Sequence, residues 1–373
     1  MSRSTPSCVL VLGAGVAGLA TAWHLARAGE RVVVIDPAPR AFAHSSGANA
    51  AILRTVVDDA ATAQLAQRGA RALREPDPTL GEHGFVLTTG VVLTADDEAA
   101  AAELERCAAA CDTPTEPIDR AQFAELAPHV GTRPLIALHA PGDGVVDLDH
   151  LSTALVRAIE AAGGTVRLGV GARDWLGADG EVSGAVLTDG SRIDAHAVVV
   201  AAGGWAAKLG RRAGSHVSLA PRRRHAAKLV GSGAVDARWP VVWNAGDPFY
   251  ARPFDGGLLV CNCDESVVEP DACDLDDARV EALRASTSRH LAPPYADGAL
   301  EPWCALRTFA PDGRFVLGLD PDVRGLFWAA GLGGHGITCG LAAGEVVARS
   351  VRGECDELLA AHSPARDGAR RLG

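Results

Sequence analysis

Gly13, Gly15 and Gly18, in the run Gly13-Ala14-Gly15-Val16-Ala17-Gly18, together with Asp36 carry the clearest chemistry in this chain. Such a run suits a phosphate-bearing ligand. Gly13 permits a tight turn, Gly15 lets the backbone approach a pyrophosphate, and Gly18 lets a helix lie close on the preceding strand. The pyrophosphate would rest on the amide-rich, positive end of that helix. Asp36, at the tip of the next apolar run, can accept hydrogen bonds from a ribose. Other reactive residues are less ordered by spacing. Arg222, Arg223 and Arg224 sit in a β-like run, where alternation puts Arg222 and Arg224 on one face, as an anion site or a solvated basic stripe. The 12 histidines show no metal-ligand spacing, so no metal site is expected. The 9 cysteines include no Cys-x-x-Cys and read as buried free thiols in a reducing cytoplasm, with Cys261 and Cys263 on one side of a strand and Cys107 and Cys111 on one side of a helix.

These residues need positioning elements, and the sequence supplies them. Val9–Leu12 is a β-run entering the glycine turn, a helical pattern follows, and Arg31–Ile35 is a second β-run ending on Asp36. Pro37–Asn49 is a loop of small residues. Ala60–Leu73 reads as an amphipathic helix, Gly84–Leu93 as a strand, and Asp96–Cys111 as an alanine-rich helix. A short helix opens at Ile118, Gly142–Gly144 marks a turn, and a helix runs from Leu148 to about Ala162. Short strands fill Thr165–Asp194, and Ala197–Ala201 is a fully apolar strand suited to a covered parallel sheet. Pro221–Val260 reads as β again, Leu275–Leu291 as a helix, and 299–307, 314–319 and 325–329 as strands. Gly331–Gly336 then opens a helix to about Val351, and the arginine-rich tail from Pro364 reads as disordered.

A length of 373 residues suits two domains, and 48% hydrophobic with 22% charged residues is an ordinary globular composition. A net charge of −11 argues against nucleic acid and anionic membrane surfaces. Arg3 followed by the apolar stretch Cys8–Ala26 imitates a signal peptide, but the glycine spacing explains that stretch better. No other segment approaches the ~20 apolar residues of a membrane span. Nucleotide-type turns recur near residues 13, 203 and 333, with β-rich segments between them. The expectation is an α/β, Rossmann-like domain built from discontinuous pieces, 1–82, 140–217 and 306–373, carrying an inserted, mainly antiparallel β domain from 83–139 and 218–305.

With these motifs in this order, the chain resembles the D-amino-acid oxidase, glycine oxidase and sarcosine oxidase family of FAD-dependent oxidoreductases. Further elements of the likeness are His44–Ala51, Asp143-Gly144-Val145-Val146-Asp147, Ala201–Trp205, Phe249–Pro253, Trp303–Asp312 and Gly331–Thr338. Within the family it is most similar to FAD-dependent D-arginine dehydrogenases, through Pro221–Arg224, Trp239-Pro240, Tyr250 and Trp303–Phe309.

The resemblance implies a glutathione-reductase-type FAD domain. The first glycine turn (Gly13, Ala14, Gly15, Val16, Ala17, Gly18) with Asp36 and Pro37 would hold the ADP half. Ser45, Ser46, Ala48, Asn49, Ala50 and Ala51 would run beside the flavin and pyrophosphate, and Ala172 would meet adenine. Ala202 and Gly203 would line the path between the halves, and Gly333, Gly334, His335, Gly336, Ile337 and Thr338 would bring a helix N-terminus to the flavin ring. The implied reaction is oxidation of the C–N bond of an amino acid or N-substituted amino acid, with the hydride passing from Cα to flavin N5. The imine formed hydrolyses to a 2-oxo acid, and oxygen or a quinone takes the electrons. Arg307 would grip the substrate carboxylate, Tyr250 would donate its hydroxyl to it, and Arg224, or its neighbours Arg222 and Arg223, would assist. His335 would contact substrate or cap the helix.

The chain also departs from its relatives. D-arginine dehydrogenases carry a histidine, a tyrosine and a glutamate where this chain aligns Ile52, Val57 and Gly90, so D-arginine is not expected as the main substrate. Sarcosine oxidases attach flavin to a cysteine. Cys304 lies near that position, but the best register puts Ala305 there, so FAD is expected to be non-covalent. Alternatives are a flavin monooxygenase on the same fold, an NAD-dependent dehydrogenase, which the C-terminal glycine turn disfavours, and a flavoprotein subunit of a larger complex.

Overall fold

Alternate residues of the first strands point into different cores, which is why those strands are apolar on both faces. In the computed structural model, which describes residues 8–231 and 233–370, strand Cys8–Leu12 is central to an eight-stranded sheet. It pairs in parallel with Val32–Asp36 on one side and Arg192–Val200 on the other. Val9, Val11, Val34 and Val199 pack against helices Val16–Arg27, Ala60–Arg74, Leu148–Ala161 and Gly336–Val351. Leu10, Leu12, Ile35, Val198 and Val200 face a second core with Trp328 and Val316. A period of two placed between two apolar layers yields such a run.

A nine-stranded, mainly antiparallel sheet forms the second body. Its longest pairing joins Ala220–Val230 to Ala299–Phe309 and sets Arg222 opposite Arg307. Strand Phe249–Phe254 lies between Val241–Asn244 and Gly257–Cys261, with Trp243 opposite Tyr250. A three-stranded sheet of Ile52–Leu53, Gly144–Val146 and Val86–Leu87 completes the β structure.

Several expectations change. The run 84–93 is not one strand: it breaks at Gly90, whose φ is +84°, into Val86–Leu87 of the small sheet and Val91–Ala95 of the large one. The tail from Pro364 is docked as far as it is described, because Arg366 binds Asp312 (2.7 Å) and Arg370 binds Asp322 (2.7 Å). Domain edges set at 139/140 and 305/306 cross the strands Ile136–Ala140 and Ala299–Phe309, each of which runs unbroken. Cys263 does not extend a strand beside Cys261. The strand ends at Cys261, Cys263 has a φ of +54°, and its amide donates to the Cys261 sulfur at 3.3 Å. Cys355 is exposed, and Cys263, Cys273 and Cys304 are only partly buried. Arg3 lies outside the described residues.

Candidate active site

The three glycine turns open onto one cleft of about 560 Å³. At its first end the fold requires glycine for geometric reasons. Gly13 has a φ of +116°, and a Cβ there would come within 2.4 Å of the Ala201 carbonyl oxygen. A Cβ on Gly18 would lie 1.9 Å from the Gly13 oxygen, so helix and turn touch through backbone alone. Asp36 accepts from the Ala14 amide (2.7 Å) and the Ala38 amide (2.8 Å), locking turn to strand, while it also lines the cleft. Helix Val16–Arg27 has no side-chain N-cap and no acid in its first turn; Ser46 Oγ accepts from the Val16 amide at 3.0 Å. That end, whose N-cap Gly15 offers no side chain, faces the cleft beside Ser45–Ser46, as an anion needs.

Asn49 secures the adjoining loop. Its amide nitrogen donates to the Ser45 (2.9 Å) and Ser46 (2.6 Å) carbonyls, and its oxygen accepts from the Ala51 amide at 2.5 Å. Ala51 is thereby held at a φ of +55°, a strained conformation for an alanine. Pro37, Ala172, Gly171 and Thr188 line one reach of the cleft, and Ala202, Gly203, Trp205, Lys208 and Arg212 another. The far end is walled by Gly331–Gly334, Gly336 and Ile337, at the start of helix Gly336–Val351, which likewise lacks a side-chain N-cap.

Of the residues expected around a cofactor, Ala14, Gly18, Ala48, His335 and Thr338 do not line this main cleft. Ala14 and Gly18 shape the turn behind it, and the Ala48 carbonyl accepts from Trp303 Nε1 at 3.4 Å. His335 and Thr338 instead line a side cavity of about 150 Å³ that shares Ile52, Arg224, Trp243 and Gly334 with the cleft.

Arg224, Tyr250 and Arg307 all reach the cleft wall. Their electrostatic situations differ. Arg307 donates to the Leu306 carbonyl (3.1 Å) and has no carboxylate within ion-pair distance among the described residues. Burial lowers its pKa, an effect that Tyr250 opposes. Tyr250 is buried, and its phenol is pushed well above its ordinary value by burial and by Cys261 and Cys263, so it remains a neutral donor. Arg224 is ion-paired to Glu265, which also accepts from Arg222 at 2.6 Å. Arg223 points elsewhere, to Asp276 (2.7 Å) and the Asp274 carbonyl (2.8 Å). Arg222 and Arg224 thus share a face, as strand alternation predicts, and of the three arginines Arg224 lines the cleft. His335 is held neutral, its pKa lowered to about 3 by burial and by Arg54 and Arg224.

Sequence reasoning missed Arg54, Trp243 and Glu265. Arg54 stacks on Trp243, its Cζ lying 4.4 Å from the ring centroid, and Trp243 stacks on Tyr250 with centroids 4.8 Å apart. No local pattern marks Arg54; the strand pairing of Trp243 with Tyr250 was the available hint. The two departures at Val57 and Gly90 lie away from both cavities. Val57 is packed in the core, and a Cβ on Gly90 would come within 2.4 Å of His139 Nε2, so only Ile52 of that trio lines the site.

The chain matches the family described as FAD dependent oxidoreductase (DAO) over residues 8–350. It belongs to that family, and its cofactor is FAD. An uncharacterized oxidoreductase, YurR, of Bacillus subtilis (strain 168) is 31% identical, across 95% of this chain and 98% of its own length. Glycine oxidase of Geobacillus kaustophilus (strain HTA426) is 28% identical, across 91% of each chain. The crystal structure of the Geobacillus kaustophilus enzyme superposes with a TM-score of 0.84 at 24% identity, covering 98% of this chain and 99% of the other. Iminodiacetate oxidase of Chelativorans sp. BNC1 superposes with a TM-score of 0.82 at 27% identity, covering 95% and 98%. Among the described residues, no helix is long and apolar enough to cross a membrane.

Proposed function

We propose that this protein oxidises the C–N bond of a small amino acid or N-substituted amino acid to an imine, which water hydrolyses to a 2-oxo acid. The observation that carries this reading is Arg307: a guanidinium in the cleft wall, without an acidic partner among the described residues, in the same wall as the neutral phenol of Tyr250. A planar guanidinium and a hydroxyl donor suit a carboxylate, and a carboxylate would relieve the uncompensated charge. Bound FAD supplies the acceptor for the hydride that leaves Cα. The two helix N-termini whose N-cap residues make no capping bond, one beside Gly15 and one at Gly336, fit the two regions of that cofactor where negative charge concentrates.

The protein's own work is then positioning. Arg307 and Tyr250 fix the carboxylate, which sets the direction of Cα, and the neutral walls of Ile52, Trp243 and Leu306 limit water around it. Arg224, already paired to Glu265, supports the field of the site and is not a free grip. His335 contributes as a neutral imidazole in the side cavity. The glycine oxidase and iminodiacetate oxidase similar to this chain act, by their names, on small amino acids.

D-arginine remains a poor candidate, for a different reason than the aligned Gly90. Its cationic side chain would enter a site already carrying Arg54, Arg224 and Arg307 against Glu265. The division of labour is a discontinuous FAD-binding part built on the eight-stranded sheet and a substrate part built on the nine-stranded one. The free thiols suit a reducing cytoplasm.

Anaerobic mixing of the purified flavoprotein with D-, L- and N-alkyl amino acids tests the reading. Bleaching of the flavin, with 2-oxo acid formed on admitting air or a quinone, supports it. Bleaching by NADPH and by no amino acid would overturn it.

A further inference from the structure

The side cavity has a built floor that the proposed reaction at Cα does not use. Arg54 lines it and stacks on Trp243, yet forms no ion pair with any described residue. The acids whose charge reaches it, Asp58 and Asp143, are not within ion-pair distance, and Asp143 is committed to Arg74 (3.0 Å) and Thr55 (2.9 Å). Glu265, the acid of the cavity wall, is shared by Arg222 and Arg224. Burial lowers the pKa of Arg54, as expected of a guanidinium short of compensation.

Its backbone is fixed on both sides. The Arg54 amide donates to Thr338 Oγ1 at 3.2 Å, and the next amide, of Thr55, donates to Asp143 Oδ2 at 2.9 Å. A cation held in place, partly desolvated and without an anion is the arrangement of an anion subsite awaiting its ligand. The cavity's volume of about 150 Å³ far exceeds the ~10–15 Å³ that one water requires. It opens beside Trp243 and Arg224, which also line the main cleft near Tyr250 and Arg307.

We infer that Arg54 and the side cavity receive a second carboxylate of the substrate, making this an oxidase or dehydrogenase of amino dicarboxylates. The inference rests on the proposed amino-acid oxidation, with the first carboxylate on Arg307. The second carboxylate can sit on the Cα side chain, as in aspartate and glutamate, or on the nitrogen substituent, as in N-carboxymethyl amino acids. A neutral amino acid leaves Arg54 unpaired, and a cationic one opposes it.

Two measurements test this on the FAD-loaded protein. The first is anaerobic flavin reduction by D- and L-aspartate, D- and L-glutamate and iminodiacetate, beside glycine, alanine and sarcosine. Diacids are expected to exceed neutral substrates of similar size at least tenfold in second-order rate constant, and the enantiomer and N-substituted arms locate the second carboxylate. Arg54→Met is expected to cut the diacid-to-neutral ratio at least 30-fold.

The second measurement is binding without turnover. Succinate and glutarate carry two carboxylates and no C–N bond, and should perturb the flavin spectrum at concentrations at least tenfold lower than propionate and butyrate. Neutral substrates reducing the flavin better than every diacid, or a ratio unmoved by Arg54→Met, would overturn the subsite while leaving the amino-acid reaction standing. Failure of all amino acids to reduce the flavin would overturn the underlying reaction. If Arg54→Met does not fold, the dicarboxylate and monocarboxylate affinities of the unaltered protein decide.

Discussion

Arg252 Nε donates a 2.6 Å hydrogen bond to the Ala50 carbonyl, tying the nine-stranded sheet to the loop beside the cleft. The arginine is buried, and its pKa is lowered to about 10 by burial, with Tyr250 opposing. Its guanidinium also donates to the Pro253 carbonyl at 2.7 Å, so it serves backbone acceptors and, among the described residues, no carboxylate. Arg252→Met should leave the Ala50 carbonyl unpaired, a loss of about 1–3 kcal/mol. Because Ala50 and Ala51 border the cleft, the loss is expected chiefly in flavin retention. The dissociation constant of FAD, followed by the fluorescence of released flavin, should rise about tenfold, as ~1.4 kcal/mol of that loss would give. Unchanged flavin affinity would separate this bond from the cofactor site.

Arg307→Met should remove the carboxylate grip. Truncating one partner of a buried charge pair costs about 2–5 kcal/mol, so kcat/KM should fall roughly 10²-fold or more. Arg307→Lys should recover only part of it, because an ammonium lacks the planar fork. Tyr250→Phe removes a single donor to a charged group, about 1.5–3 kcal/mol, and should act mainly on KM. An Arg307→Met enzyme with unaltered kinetics would place the substrate elsewhere in the cleft.

The cofactor half of the site was legible because it is local. Gly13, Gly15, Gly18 and Asp36 declare a strand–turn–helix within a short window; in the structure Gly13, Gly15 and Asp36 line one cleft, and Gly18 packs against the turn behind it. The proposed substrate half depends on contacts between distant strands. Arg307 and Tyr250 were reachable through family resemblance, but Arg54 acquires meaning only where Ile52–Leu53 pairs with Gly144–Val146 and the chain then meets Trp243 and Thr338. The alternation of Arg222 and Arg224 followed from strand periodicity, whereas their common partner Glu265 did not. Gly90 misled for the same reason: an aligned position carries no information about whether its neighbour is a substrate or His139.

The flavin should be released by acid. Cys304, the thiol nearest the position used for covalent attachment in sarcosine oxidases, does not line the cleft. Its sulfur donates to the Cys273 carbonyl at 3.1 Å and lies 3.7 Å from the Cys273 sulfur. Trichloroacetic acid precipitation is expected to leave a colourless pellet and a yellow supernatant, and Cys304→Ser should retain its flavin. Colour held in the pellet would contradict non-covalent binding.

Mild acid should destabilise the fold before its carboxylates protonate. Burial holds His24 and His129 at a pKa of about 4 and His335 at about 3, all below the ordinary imidazole value of 6.5. Between those values and 6.5 the unfolded chain binds protons that the folded chain refuses, so stability rises with pH across that window and is lost as pH falls through it. Each group contributes a slope of about 1.4 kcal/mol per pH unit, and none contributes above about pH 7. Carboxylates whose pKa is lowered by partners, such as Asp312 beside Arg366 and Asp356 beside Arg68, add their losses only further down. Asp143, raised by burial, works in the opposite direction. His129 isolates the effect, because neither ring nitrogen has a hydrogen-bond partner among the described residues and the ring stacks on Trp239, centroids 5.0 Å apart. His129→Phe keeps the stacking and removes the titration. Urea unfolding at pH 7.5 and pH 5.5 should show a smaller loss of stability in the variant than in the unaltered protein. Parallel losses in the two proteins would mean that His129 takes up its proton without unfolding.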